Sequence, residues 1–212
     1  ACKKYGLKFA GYLSPWDRSR AEYATPDYLP YFYAQLRDLL TNYGEVFEVW
    51  FDGANGGDGY YGGAKDQRTI DRKNYYNYPH IFKMLDEIQP NAVVFGDGGP
   101  GCRWVGNEKG FAGETNWAFL RKGEVYPGYP NYHELTYGHA DGNQWTAAEC
   151  DVSIRPGWFY HPEEDDKVKS PDQLVDLYYR SVGHNATFLL NFPVDRDGLI
   201  HPIDSANAIA YR

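Results

Sequence analysis

Glu48-Val49-Trp50-Phe51-Asp52-Gly53 is an apolar run of branched and aromatic residues that ends in an acid and a glycine. Such a run reads as a buried strand. A lone carboxylate at its carboxyl end occupies the place where functional groups gather in parallel α/β folds. The plain alternative is an Asp-Gly turn closing the strand. Working outward, similar runs occur at Leu7–Leu13, Val46–Phe51, Ala92–Phe95 and Thr187–Leu190, and two further strands fit Glu114–Trp117 and Cys150–Ile154. Helical spacing lies between them. Tyr31 to Tyr43 carries Leu36, Leu39 and Leu40 before Gly44, and Ile81, Met84, Leu85 and Ile88 follow the i, i+3, i+4, i+7 rule before Pro90. Ser170-Pro171-Asp172-Gln173 predicts a third helix, with Ser as cap, Pro at the first helical position and Gln completing a capping box. Strands alternating with helices predict an α/β fold with a parallel sheet.

The 212 residues suit one domain, read without an internal boundary, and the net charge of -8 argues against a phosphate-backbone partner. No apolar stretch approaches the roughly 18 residues of a membrane span, so neither nucleic acid nor membrane insertion is expected. The compositional outlier is aromatic: 20 Tyr, 11 Phe and 6 Trp. Aromatic faces suit the C–H edges of sugars, and they equally suit a tyrosine-rich core and rim. Cys2, Cys102 and Cys150 are odd in number and lack metal-like spacing, so no disulfide framework is read. No secretory leader is read at the start of the chain. The glycine run from Gly53 to Gly63 and the acidic patch Glu163–Asp166 read as loops.

Several chemistries are set aside by context. Gly96-Asp97-Gly98-Gly99-Pro100-Gly101 satisfies G-x-G-x-x-G, but Pro100 and the run Cys102 to Glu108 provide no helix to receive a pyrophosphate. His133-Glu134 and His139 lack the HExxH spacing, so no catalytic metal or other cofactor is expected. The glycines after Asp52 make neither a phosphate nor a calcium loop, and no G-x-S-x-G elbow occurs. Glu108, in Trp104-Val105-Gly106-Asn107-Glu108-Lys109-Gly110, is a carboxylate in a loop beyond the strand Ala92–Phe95, placed to face Asp52 across a barrel mouth. Its bland alternative is a solvated loop charge. Two carboxylates from different strand ends are what glycoside hydrolysis requires.

Five ordered stretches resemble the α-L-fucosidases of glycoside hydrolase family 29: Lys8 to Asp17, Gln35 to Gly44, Val49-Trp50-Phe51-Asp52-Gly53-Ala54, Gly157-Trp158-Phe159-Tyr160-His161, and Ser181 to Asn191. The resemblance implies a (β/α)8-type, TIM-like barrel and retaining hydrolysis of terminal α-L-fucose, with Asp52 as nucleophile. Arg103 to Glu108 is similar to the acid/base loop of the branch acting on α-1,3 and α-1,4 linked fucose, which implies Glu108 in that role, with Glu114 and Glu149 as alternatives. For the sugar it suggests Trp50 beside the nucleophile, Tyr12 at the end of the first strand, Trp158 against the C5 methyl, and Arg103 on a hydroxyl or orienting Asp52. About six strands are read where such a barrel has eight. The expectation is therefore the later portion of a single catalytic domain, residues 1–212, whose first strands and fucose-gripping histidines belong to a preceding N-terminal part. The implied partner is a fucosylated glycan, and the implied location is periplasmic or secreted, or lysosomal in a eukaryote. A fucose-binding relative without turnover is the alternative function.

Overall fold

The computed structural model describes residues 1–52 and 59–212. Gly53 and Ala54, which end the Val49–Ala54 stretch, and the glycine run as far as residue 58 lie outside the described residues. Backbone contacts gather the rest into two compact units: Ala1–Cys102 with Gly123–Pro130, and Arg103–Lys122 with Asn131–Arg212.

The first unit runs α1 (Cys2–Tyr5), β1 (Ala10–Tyr12), α2 (Tyr28–Asn42), β2 (Glu48–Trp50), β3 (Gly59–Tyr61), β4 (Asp66–Arg68), α3 (Tyr78–Ile88) and β5 (Val93–Gly96). Strands β1 and β5 flank β2, both parallel to it, with Tyr12 opposite Trp50 and Trp50 opposite Phe95. Parallel neighbours need long crossovers, and α2 and α3 supply them. α2 buries Tyr28, Phe32, Leu36 and Leu40, one per helical turn, each worth about 1.5–3 kcal/mol of removed apolar surface. A Cβ at Gly11 would meet Leu39 Cδ2 at 2.6 Å, so any larger residue there would make the Leu39 side chain shift. Gln89 fastens the ends of both helices. Its Nε2 donates to Leu40 O (2.7 Å) and Gly44 O (2.9 Å), and its Oε1 accepts from Val46 N. Much of the tyrosine surplus is core: Tyr23 stacks on Tyr61 at 4.9 Å, meets Tyr28 edge-on at 5.0 Å and shares a hydroxyl hydrogen bond with Tyr76.

β6 (Cys102–Trp104) lies where the chain passes from the first unit to the second. The second unit continues with β7 (Phe119–Leu120), β8 (Gln144–Trp145), β9 (Ala147–Ser153), α4 (Pro171–Ser181), β10 (Ala186–Asn191) and α5 (Pro202–Tyr211). β9 and β10 are parallel, with Ala186 opposite Ala148 and Asn191 opposite Ser153. Period-two alternation gives their ladder two faces. Val152 and Ile154 pack with Leu174 and Leu177 of α4, Phe188 and Leu190 joining them, whereas Glu149, Asp151, Ser153, Thr187 and Asn191 fall on the opposite face. The capping box forms as read: Ser170 Oγ accepts from Gln173 N (3.3 Å) while Gln173 Oε1 accepts from Ser170 N (2.8 Å).

Four local expectations are corrected. Glu114–Trp117 is not a strand; the short strand is β7, paired antiparallel with β8, because Asn116 turns its amide to the backbone of His184 and Asn185. Residues 102–104, read only as lacking helical periodicity and assigned to no strand, form β6. The end of the glycine run is not all loop, since Gly59–Tyr61 pairs antiparallel with Asp66–Arg68. The acidic patch Glu163–Asp166 lies within a 3₁₀ helix, Pro162–Lys167, whose opening turn suits acids and proline. No helix among the described residues is long and apolar enough to cross a membrane.

Candidate active site

In the first unit the strand ladder runs on past β2, with Leu13 N donating to Trp50 O (2.9 Å) and Phe51 N to Phe95 O (3.3 Å). It delivers Asp52 exposed at the carboxyl end. Alternation turns Val49 and Phe51 into the core and puts Trp50 and Asp52 on the other face. There the rings of Tyr12, Trp50 and Phe95 stack across three strands, at 5.6 Å between the first two and 3.8 Å between the last two. Trp50 is thus held between two rings beside the Asp52 segment. The Tyr12 hydroxyl donates to Asp52 Oδ2, and Ser14 Oγ donates to Asp52 O at 2.9 Å. Partial burial and then the Asp52 carboxylate push the Tyr12 phenol above its ordinary range, so it stays a proton donor to Asp52. The carboxylate is fixed in direction at both side chain and backbone.

Asp97, within the G-x-G-x-x-G pattern, follows β5 as Asp52 follows β2. Its Oδ2 accepts from Gly128 N at 2.7 Å. Burial, and then the charge of Asp52, raise its affinity for a proton. The signal that could have found it is the one that found Asp52: a carboxylate directly after a buried strand.

In the second unit Glu108 stands exposed on a tight loop. Gly106, at φ +79°, lies so close to Tyr132 that a Cβ would meet its carbonyl oxygen at 2.3 Å, which only glycine permits. Asn107 braces the loop from inside, its Oδ1 accepting from Lys109 N and its Nδ2 donating to Phe111 O, both at 3.0 Å. Trp158 Nε1 donates to Glu108 Oε2 at 3.2 Å, bringing together two of the residues singled out in the sequence. Of the alternatives, Glu114 is exposed, and Glu149 is buried at 6% exposure and accepts from Thr187 Oγ1 at 3.0 Å.

Arg103, expected on a hydroxyl or orienting Asp52, is enclosed by its own unit. It is 0% exposed, and its Nε, Nη1 and Nη2 donate to Leu135 O (3.2 Å), Thr146 O (2.7 Å) and Asn116 Oδ1 (2.7 Å). Burial lowers its pKa to about 10. A guanidinium with three directed donors engaged and no surface frames β6 and the surrounding loops. Asn116, which the sequence reading missed, extends this frame to the turn before β10. His139 is structural as well: its Nδ1 accepts from Arg121 N at 3.0 Å and its Nε2 lies 3.3 Å from Glu134 Oε2.

Asp151 was likewise passed over. It is buried at 3% exposure on the polar face of β9, and Trp104 Nε1 donates to its Oδ1 at 2.8 Å. Burial above all, with Glu108 and Glu149 adding like charge against the indole bond, moves its pKa up to about 7. Unfolded, the group titrates near 3.9. Between about pH 4 and 7 the folded state therefore binds the extra proton, and the stability this group contributes is present at low pH and lost as pH rises through 7. In thermal unfolding of the full-length protein, Asp151→Asn should gain on the wild type as pH goes from 5 to 8. A constant difference between the two would contradict the raised value.

The parallel strands described above share their fold with solved members of glycoside hydrolase family 29. A family 29 member from an unknown rumen bacterium superimposes with a TM-score of 0.91 at 55% identity, over 99% of this chain and 38% of that one. A family 29 fucosidase of Ruminococcus gnavus, solved in complex with fucose, aligns at 30% identity and TM-score 0.76, over 99% of this chain and 45% of that one. The family model described as alpha-L-fucosidase matches residues 1–209. Alpha-L-fucosidase 1 of Arabidopsis thaliana is 42% identical over 207 residues, which is 96% of this chain and 38% of that protein. The chain belongs to the alpha-L-fucosidase family. It spans 38% of the length of the Arabidopsis thaliana relative.

Proposed function

We propose that the protein is a retaining α-L-fucosidase that releases terminal fucose from glycans, with α-1,3 and α-1,4 linkages as preferred substrates. The observation that carries this reading is the carboxylate of Asp52, held at the end of β2 by Tyr12 and Ser14 within a chain of this family. Asp52 attacks C1 of the fucosyl unit as Glu108 gives its proton to the departing oxygen. Glu108 then takes a proton from water, and that water opens the fucosyl ester. Two displacements at one carbon return the original configuration. Retention calls for carboxyl groups about 5–5.5 Å apart. Trp158 supplies an apolar wall, and its indole N–H steadies Glu108. In this reading the chain contributes the later strands of a (β/α)8-type barrel, and an N-terminal part contributes the earlier ones with the histidines that grip the fucose hydroxyls. Periplasmic, secreted or lysosomal surroundings, where terminal fucose is met, are the matching location.

The test is to expose the full-length protein to a 2-fluoro-fucosyl fluoride and measure its intact mass. Displacement of fluoride by Asp52 leaves one 2-fluoro-fucosyl ester, since the electron-withdrawing fluorine at C2 slows its hydrolysis. One adduct mapping to Asp52 is expected. An adduct on another residue, or none on a folded full-length chain, overturns the assignment.

A further inference from the structure

We infer that Phe159 is a stacking platform for the hexopyranose that carries the fucose, the sugar that departs in the first step. This rests on the reading of Glu108 as the acid. The oxygen that Glu108 protonates belongs to the departing sugar, and proton transfer needs about 2.6–3.2 Å between heavy atoms. That ring must therefore lie over the residues beside the Glu108 carboxyl. Trp158 is one of them, through its 3.2 Å hydrogen bond to Oε2. The next residue in the chain, Phe159, is 78% exposed, the highest value among the large hydrophobic residues described.

One exposed apolar side chain means little by itself. Here both flanks of the ring are fastened. On one side the Trp158 carbonyl accepts from Asn191 Nδ2 at 3.2 Å, and the same amide donates to Ser153 Oγ at 3.1 Å, which ties the turn to β9 and β10. On the other, the Tyr160 ring packs under the Arg155 guanidinium at 4.6 Å. Arg155 is itself 0% exposed and bidentate to the equally buried Asp204, at 2.8 Å through each of Nε and Nη2. A buried fork-to-fork ion pair fixes geometry well. The residues on both sides of the ring are thus anchored while the ring itself is exposed in this chain, as a preorganised binding surface requires. Its flat face suits a pyranose C–H face.

Full-length enzyme should be compared on two substrates: a fucosyl-hexopyranose disaccharide, and α-L-fucosyl fluoride, whose leaving group has no ring. In kcat/KM, which reads the steps through ester formation, Phe159→Ala should fall roughly five- to tenfold on the disaccharide and stay within about twofold on the fluoride. Phe159→Trp should retain the disaccharide activity. Equal loss on both substrates would give Phe159 a packing role and overturn the platform, as would no loss on either. Glu108→Gln run beside them separates the two ideas. If it slows the disaccharide and spares the fluoride while Phe159→Ala is unselective, only the platform is lost. If Glu108→Gln is itself unselective, the acid reading fails and the platform with it.

Discussion

Asp52→Asn in the full-length enzyme should lower kcat/KM on the order of 10⁴-fold on every fucoside, whatever its leaving group. An amide oxygen can still accept from the Tyr12 hydroxyl, and Asp52 is exposed, so that contact is kept and the core is not disturbed. What disappears is the negative charge that forms the new bond to carbon. Unfolding midpoints should accordingly move little, since exposed substitutions away from special features stay within about 0.5 kcal/mol. Asp97 sharpens the expectation. The charge of Asp52 adds to burial in raising the proton affinity of Asp97, and without that charge Asp97 should release its proton at a lower pH. A variant that keeps more than a few per cent of wild-type turnover would move the nucleophile elsewhere on the chain.

Glu108→Gln is the second large effect, and it depends on the leaving group. For natural glycans, whose alcohols leave poorly without a proton, kcat/KM should fall about 10²- to 10⁴-fold. For aryl fucosides with acidic phenols it should fall far less, because kcat/KM reports only the steps up to the ester. The turnover number on those same aryl substrates should still drop, since water then attacks without a base. The loop predicts no structural penalty: Gln can accept from the Trp158 indole as Glu does, and Gly106 and Asn107 set the backbone independently of residue 108. The same substrates rank Glu114 and Glu149. Glu149 is buried and bonded to Thr187, so its Gln variant is expected to show losses unrelated to leaving-group acidity.

The strand carrying Asp52 was readable because Val49, Phe51 and the terminal acid form an uninterrupted local signal, and the capping box of α4 was readable because four consecutive residues contain the whole motif. The roles of Arg103 and Asn116 were not. The partners of Arg103 lie 13, 32 and 43 residues away, and no local pattern announces that a guanidinium will be enclosed. A charged residue next to a site motif suggests substrate contact, while enclosure by loops decides for architecture. β6 was missed for a related reason: three residues carry too little periodicity to declare a strand. The polar side of β9 lay in plain alternation, Glu149, Asp151, Ser153, but charges along a strand usually signal solvent, and here they are buried.

The β9 and β10 pairing also has a temporal side. Thr187 meets Glu149 across 38 residues of chain, and parallel strands admit no tight hairpin to bring them together. The loop must close before any rung of that ladder forms, at an entropic cost that local structure does not carry. α4, with its self-contained cap, can form early; the ladder follows. During synthesis the half of the ladder in β9 leaves the ribosome first, a strand alternating acids with apolar residues. For that interval the buried carboxylates of the finished protein are hydrated, and the same acids keep an unpaired edge soluble until β10 arrives.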